Sequence, residues 1–357
     1  IVSIFLESIM STNLLQDLLA ERGVLLADGA TGTNLFAMGL ETGDAPEFWN
    51  VDHPDRIAAN YQSFVDAGSD IILTNTFGGT HYRLQLHNAA DRVHELNVAG
   101  VKIGREVAAK ASRPIIIAGS IGPTGEIPEP MGRLSHTDAV AAFLEQALAL
   151  KDGGADVLWI ETMSSTQESE AAIEGANQTG LPVICTYSFD TNGRSMMGVT
   201  PADMVQSCAH ENHTAYACGS NCGVGASELV MAICNMRNAP GGDKAILVAK
   251  ANCGIPEYVN GAIHYNGTPE IMASYATMAM DAGADIIGGC CGTSPEHVAA
   301  MRNALDGHTK GQTPTVEQIE SVLGEVSKGG KAQYAGDLSV AGGAAEGAVI
   351  KRRSRRR

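Results

Sequence analysis

Three cysteines stand where their type and setting can do chemistry. Cys222 lies in GSNCGVG, and the neighbours Cys290 and Cys291 lie in GGCCGT. The flanking glycines let the backbone turn sharply and approach closely. A disulfide between adjacent cysteines is strained. Three thiolates converging from these two segments instead match a Zn2+ site with three protein ligands and one open position. Such a centre carries net negative charge, which makes it a poor generator of hydroxide from water. It is well suited to bind a fourth thiol, lower its pKa and keep it reactive at neutral pH. The chemistry implied is alkyl transfer to a substrate thiol. Cys185, Cys208, Cys218 and Cys234 sit in apolar or helical runs and read as buried side chains, while Cys253 in AKANCGIP lies near the site as a decoy.

The elements that would carry these residues repeat along the chain. Short β-rich runs fall at Val24–Ala27, Asp70–Leu73, Pro114–Ala118, Asp156–Ile160, Pro182–Thr186, Ala215–Ala217, Ala245–Ala249 and Asp285–Gly288. The intervals hold helical patterns such as Thr137–Lys151 and Pro269–Asp281. A phrase recurs as DAGSDIIL, DGGADVLW and DAGADIIG, each with a glycine suited to ending a helix before a strand begins. Eight such βα units predict an α/β fold, a (β/α)8 TIM barrel. No G-x-G-x-x-G follows the first strand, which argues against a dinucleotide-binding sheet.

In that barrel the site lies where the strands end. The ends supply Asp28 and Gly29, Thr74, Ser120, Glu161 and Thr162, Asn221 and Cys222, Lys250 and Asn252, then Cys290 and Cys291. Asp28 and Glu161 could grip a substrate ammonium, and backbone N–H groups near Gly29 could hold its carboxylate. An amino acid bearing a thiol fits all three features. Trp159 is expected to pack between barrel and helix.

Composition narrows the partners. The formal charge is −16, and the tail KRRSRRR holds six of the 24 basic residues, so the body is more acidic still. Such a body repels phosphate backbones, so no nucleic acid is expected. No apolar run reaches membrane-span length, so no membrane is expected either. The N-terminus has no basic region or cleavage site of a secretory signal, which predicts a cytoplasmic protein with reduced thiols. Residues 1–13 read as an N-terminal extension, with Met10 as a natural start. Residues 14–305 read as the barrel, and 306–357 as a linker and flexible basic tail, with a short helix at Thr315–Ser327.

The chain resembles the homocysteine S-methyltransferase family over roughly residues 14–305. The motifs are LADGATGT (26–33), LTNTF (73–77), IET (160–162), GSNC (219–222), ANCGIP (251–256) and GGCCGTSPEHV (288–298). The resemblance implies a zinc-dependent barrel that makes methionine from homocysteine. It implies that Cys222, Cys290 and Cys291 hold the zinc, that Asp28, Gly29 and Thr74 serve substrate binding, and that Glu161 lies near the substrate ammonium. Asn252 resembles a residue that can sit at the zinc when the thiol is absent. Members take their methyl from betaine, S-methylmethionine or methylcobalamin, and dimethylsulfoniopropionate is a further candidate.

The whole-chain likeness points to bacterial betaine–homocysteine methyltransferases. Animal enzymes of that type carry tyrosines where this chain has Gly78 and Thr162. Phe77, Trp159, Tyr187 and Trp49 are the available aromatic substitutes for holding a quaternary ammonium. Alternatives are a stand-alone homocysteine module served by a separate corrinoid protein, and a non-catalytic zinc and thiol-binding protein. A homo-oligomer is compatible with all of these.

Overall fold

Eight short parallel strands form one barrel among the described residues: β1 (Leu25–Leu26), β2 (Ile71–Leu73), β3 (Ile116–Ile121), β4 (Val157–Met163), β5 (Val183–Tyr187), β6 (Ala217–Cys222), β7 (Leu247–Ala251) and β8 (Ile286–Gly289). Each pairs with its neighbours in sequence, β8 returns to β1, and a bridge between Ala27 and Ile71 closes β1 on β2. The expected (β/α)8 barrel is what the chain forms. The structure is a computed structural model and describes residues 13–340, apart from 211–212, 255 and 260–261. The expected N-terminal extension lies outside the described residues except for Asn13, and so does the basic tail.

The main helices are α1 (Leu14–Arg22), α2 (Pro54–Asp66), α3 (Val93–Ala108), α4 (His136–Gly153), α5 (Thr166–Asn177), α6 (Pro201–Cys208), α7 (Ala226–Asn238), α8 (Pro269–Ala282) and α9 (Pro295–Asp306). Ser and Thr start many of them, as at Ser135, Ser165 and Thr200, where the side-chain oxygen takes an orphan N–H of the first turn.

Both faces of the strands are apolar. Ile116, Ala118, Val157, Trp159, Ile184, Val248 and Ile286 pack inside the barrel with Leu15 and Leu18 of α1. Leu26, Ile72, Ile117, Leu158, Ile160, Leu247 and Ile287 belong to the larger cluster shared with the helices. Trp159 was expected between barrel and helix, but it stands inside, because it shares the inward parity of Val157 on β4. The sixth strand also differs from its expected position at Ala215–Ala217. It runs Ala217–Cys222, where ACGSNC lacks any β-branched residue and pairing with β5 and β7 outweighs propensity.

The repeated phrase has a structural meaning. Gly68, Gly154 and Gly283 all take positive φ, near 100°. The aspartate that follows each one accepts a backbone N–H from an adjacent strand. Asp70 takes Leu26 N–H at 2.9 Å, Asp156 takes Ile117 N–H at 2.7 Å, and Asp285 takes Leu247 N–H at 2.8 Å. Arginines pair with all three: Arg22 and Arg302 with Asp70, Arg105 with Asp156, and Arg237 with Asp285. One phrase thus ends a helix and pins the entry of a strand.

Residues 306–340 depart from the expected linker and loose tail. Two helices, α10 (Val316–Leu323) and α11 (Lys328–Tyr334), pack on α7. The first ends at Leu323, short of Ser327, where Gly324 turns with φ near 100°. Buried Glu228 of α7 accepts from the Ser327 hydroxyl at 3.2 Å, and Asn235 donates to Gly330 O at 3.1 Å. A Cβ at position 329 would lie 2.0 Å from Asn192 O, so glycine there is what allows α11 to dock.

Candidate active site

The inward parity that buries apolar side chains turns polar near the strand ends. Val157 and Trp159 are followed by Glu161, Ile116 and Ala118 by Ser120, and Val248 by Lys250. These groups line a cavity of about 660 Å³ together with Gly29, Thr74, Phe77, Cys222, Cys290 and Cys291.

Cys222 ends β6, and Cys290 and Cys291 follow β8. Their sulfurs converge, with Cys222 Sγ 2.7 Å from Cys290 Sγ and 3.9 Å from Cys291 Sγ, all three within 4.8 Å of one another. Around a tetrahedral zinc with bonds of ~2.3 Å, thiolates stand about 3.8 Å apart. The trio therefore fits that ion in donor type and number; the Cys222–Cys291 separation matches the spacing, and the Cys222–Cys290 separation would have to widen by about 1 Å. Hydrogen bonds from Cys222 and Cys290 push the Cys291 thiol well below its usual range.

Neighbouring side chains hold this arrangement. Cys222 has φ 59° and Thr162 has φ 63°, a backbone region that costs a non-glycine residue about 1–3 kcal/mol. Asn221 braces both strand ends. Its Oδ1 accepts from Thr162 N–H at 2.8 Å and from Thr186 Oγ1 at 2.7 Å, while its Nδ2 donates to Thr162 Oγ1 at 2.7 Å. Asn252 donates to Gly223 O at 2.7 Å and accepts from Cys291 N–H at 3.0 Å. Its amide thus ties the two cysteine loops together through their backbone.

Glu161 sits at an irregularity in the pairing of β4 with β5, between Ile160 and Met163. Its Oε1 accepts from Ser120 Oγ at 2.5 Å, and burial pushes its carboxyl up to about 7. Thr74 shares a 2.7 Å hydrogen bond with Thr76 and accepts from Ser120 N–H at 3.1 Å. Gly29 lies so tightly that a Cβ would meet Thr293 O at 2.5 Å and Phe64 at 2.7 Å.

Asp28 lies behind the groups that line the cavity. It is buried and does not line the cavity. Its Oδ1 lies 2.6 Å from Lys250 Nζ, and its Oδ2 accepts from Leu73 N–H at 2.8 Å. Lys250 is thus the cation that Asp28 holds in this arrangement. Lys250 itself is 2% exposed and stands 5.6 Å from the Trp159 ring centroid. Burial lowers its pKa, but the charges of Asp28 and Glu161 outweigh burial and hold the ammonium above its usual value.

Of the aromatic substitutes, only Phe77 lines the cavity, at 38% exposure. Trp49, Trp159 and Tyr187 are buried away from it. Sequence reasoning noted Lys250 at its strand end without giving it a part, and it missed Glu47, Arg83 and Tyr265. Tyr265 packs on Gly292, where a Cβ would lie 2.3 Å from its ring, next to Cys291. Glu47 sits in a single 3-10 turn, Arg83 in a one-turn helix and Tyr265 in a hairpin, all too short for a periodicity to mark them.

The family model described as homocysteine S-methyltransferase matches residues 25–305. The chain belongs to the homocysteine S-methyltransferase family. It is 29% identical over 310 residues to a methionine synthase of Mycobacterium tuberculosis (strain ATCC 25618 / H37Rv), covering 82% of this chain and 25% of that one. A methionine synthase of Mycobacterium leprae (strain TN) is 28% identical over 323 residues, 86% of this chain and 26% of the relative. The chain thus spans about a quarter of the length of these relatives.

Among solved structures, the metallated form of the homocysteine methyltransferase MmuM from Escherichia coli superposes with a TM-score of 0.68 at 24% identity, covering 81% of this chain and 99% of that one. Its oxidised form gives 0.67 at 25% identity, covering 81% and 98%. These likenesses agree with the barrel in fold. Among the described residues, no helix is long and apolar enough to cross a membrane.

Proposed function

We propose that this chain is a zinc-dependent homocysteine S-methyltransferase that forms methionine, with betaine as the methyl donor. The observation that carries the reading is the convergence of Cys222, Cys290 and Cys291 in the same cavity as Glu161. Zinc held by the three thiolates would lower the pKa of an incoming thiol and keep it nucleophilic.

The rest falls to the chain's own groups. Glu161, oriented by Ser120, holds the homocysteine ammonium, and backbone N–H groups near Gly29 hold its carboxylate. Lys250 balances the negative charge of Asp28 and Glu161. In the transfer, a sulfur lone pair forms the new S–CH3 bond as the N–CH3 bond breaks. The bonding pair stays on nitrogen as dimethylglycine, and the thiol proton is released. Holding sulfur and methyl in line lowers the entropic part of the barrier.

A second reading takes the methyl from a separate corrinoid protein. The resemblance to methionine synthases four times as long favours it. So do the exposed apolar side chains in the segments that follow the strands: Phe36, Leu86, Ile127, Met131, Met196 and Met197. The deciding experiment gives purified zinc-loaded protein homocysteine with betaine, dimethylsulfoniopropionate, S-methylmethionine or methylcobalamin, and measures methionine. Product from betaine alone establishes the first reading. Product only with methylcobalamin establishes the second. Homocysteine and zinc bound, with no product from any donor, leaves a thiol-binding protein.

A further inference from the structure

The outer part of the cavity holds a carboxylate to which that reading gives no part. Glu47 lies in the short 3-10 turn Pro46–Phe48, is 4% exposed, and lines the cavity. Its turn is fixed to the end of β2. Asn75 donates to Pro46 O at 2.7 Å, and Asn50 donates to Asn75 O at 2.8 Å. Glu47 Oε1 accepts from Gly78 N–H at 2.6 Å. A Cβ at position 78 would stand 3.0 Å from Oε1 and 3.4 Å from Oε2. The carboxylate thus fills the space into which a side chain at 78 would begin to project.

Three more features define the chemistry of this place. Burial raises the pKa of the Glu47 carboxyl, while its own backbone N–H, Gly78 N–H and the charges of Arg83 and His87 favour the anion. Phe77, next in sequence to Gly78, offers an aromatic surface in the same cavity. Arg83 and His87 also line this part, and no carboxylate comes within salt-bridge distance of the Arg83 guanidinium among the described residues. A methyl-onium centre donates no strong hydrogen bond. It is recognised by charge and by apolar or aromatic contact, which Glu47 and Phe77 supply. Arg83 is near enough to act on Glu47 by charge, so the place offers both signs, and a zwitterion uses both.

We propose that Glu47, seated over Gly78, recognises the positive charge of the methyl donor, a small zwitterion in which a quaternary ammonium or sulfonium is joined to a carboxylate held by Arg83. The assignment rests on the methyltransferase reading above and replaces an aromatic cage by a buried carboxylate. The donor's methyl carbon bonds to the homocysteine sulfur as its bond to nitrogen or sulfonium sulfur breaks. The electron pair leaves on the tertiary amine or sulfide, and the thiol proton passes to solvent.

The test is calorimetric titration of the zinc-loaded full chain with betaine, dimethylsulfoniopropionate and 3,3-dimethylbutanoate. The last has the shape and carboxylate of betaine without its positive charge. The wild type should bind at least one of the two onium ligands about tenfold or more tightly than the analogue with a neutral tert-butyl head. Glu47→Gln keeps an acceptor for Gly78 N–H and should abolish that preference while homocysteine affinity stays the same. Glu47→Asp keeps the charge and should retain part of the preference. A wild type without the preference, or a Glu47→Gln protein that keeps it, overturns the proposal. If Glu47→Gln also loses homocysteine, the decision passes to Glu47→Asp, and equal weakening of charged and neutral ligands there overturns it. A wild type that fails to bind homocysteine at all counts against the methyltransferase reading instead.

Discussion

Lys250 Nζ lies 2.6 Å from Asp28 Oδ1, and both side chains are 98% buried, so the centre of the barrel is organised around an ion pair between residues 222 positions apart. Removing one member strands the other charge. Lys250→Met should therefore destabilise the protein by about 3–5 kcal/mol. Lys250→Met combined with Asp28→Asn should recover much of that loss. Urea denaturation of the three proteins measures both; equal stability of wild type and Lys250→Met would show that the pair contributes nothing.

The second prediction concerns metal. Cys222→Ser, Cys290→Ser and Cys291→Ser should each lose zinc and methionine formation together, because a hydroxyl does not replace a thiolate ligand. Cys185→Ser and Cys234→Ser are controls. Both positions are buried, at 0% and 1% exposure, so these variants should lose some stability and keep their metal. Zinc released to a chromophoric chelator reports each outcome.

Glu161→Gln should weaken homocysteine binding and spare zinc. A hydrogen bond to a charged group is worth ~1.5–3 kcal/mol, so the loss should be roughly ten- to a hundredfold. Because Ser120 donates to Glu161 Oε1 at 2.5 Å, Ser120→Ala should produce a smaller loss of the same kind. Retained homocysteine affinity with lost zinc would mean that Glu161 serves the metal centre.

Phe77 rests on Gly122, where a Cβ would come within 2.6 Å of its ring, and it presents 38% of its surface. If betaine is the donor, Phe77→Ala should raise the betaine concentration needed for turnover about thirtyfold, since a desolvated cation–π contact is worth ~2 kcal/mol. Homocysteine affinity and zinc content should not change. Steady-state rates against each substrate separate the two effects.

The last prediction concerns the docked C-terminal helices. Glu228 is 8% exposed and accepts a hydrogen bond from the Ser327 hydroxyl. A chain ending at Pro314 leaves that carboxylate unpartnered and uncovers part of α7. It should lose about 1–3 kcal/mol from Glu228 alone, with a lower thermal midpoint. Glu228→Gln in the shortened chain should return part of the loss.

The sequence by itself determined the barrel and the thiol trio. Alternating strand and helix patterns admit few topologies, and GSNC at the end of the sixth strand with GGCCGT at the end of the eighth brings three sulfurs to one rim. It also carried the thrice-repeated phrase whose glycine ends a helix and whose aspartate pins a strand. Only the tertiary structure decided which face each strand residue takes. Strands of two to seven residues that are apolar on both sides give no alternation to read, and so Trp159 was placed outside when it lies within. Only the tertiary structure, too, revealed that Asp28 is already occupied by Lys250 and that Glu47 rises over Gly78. Those contacts join residues 222 and 31 positions apart, and a charged side chain in a loop shows its partner only once the chain has closed around it.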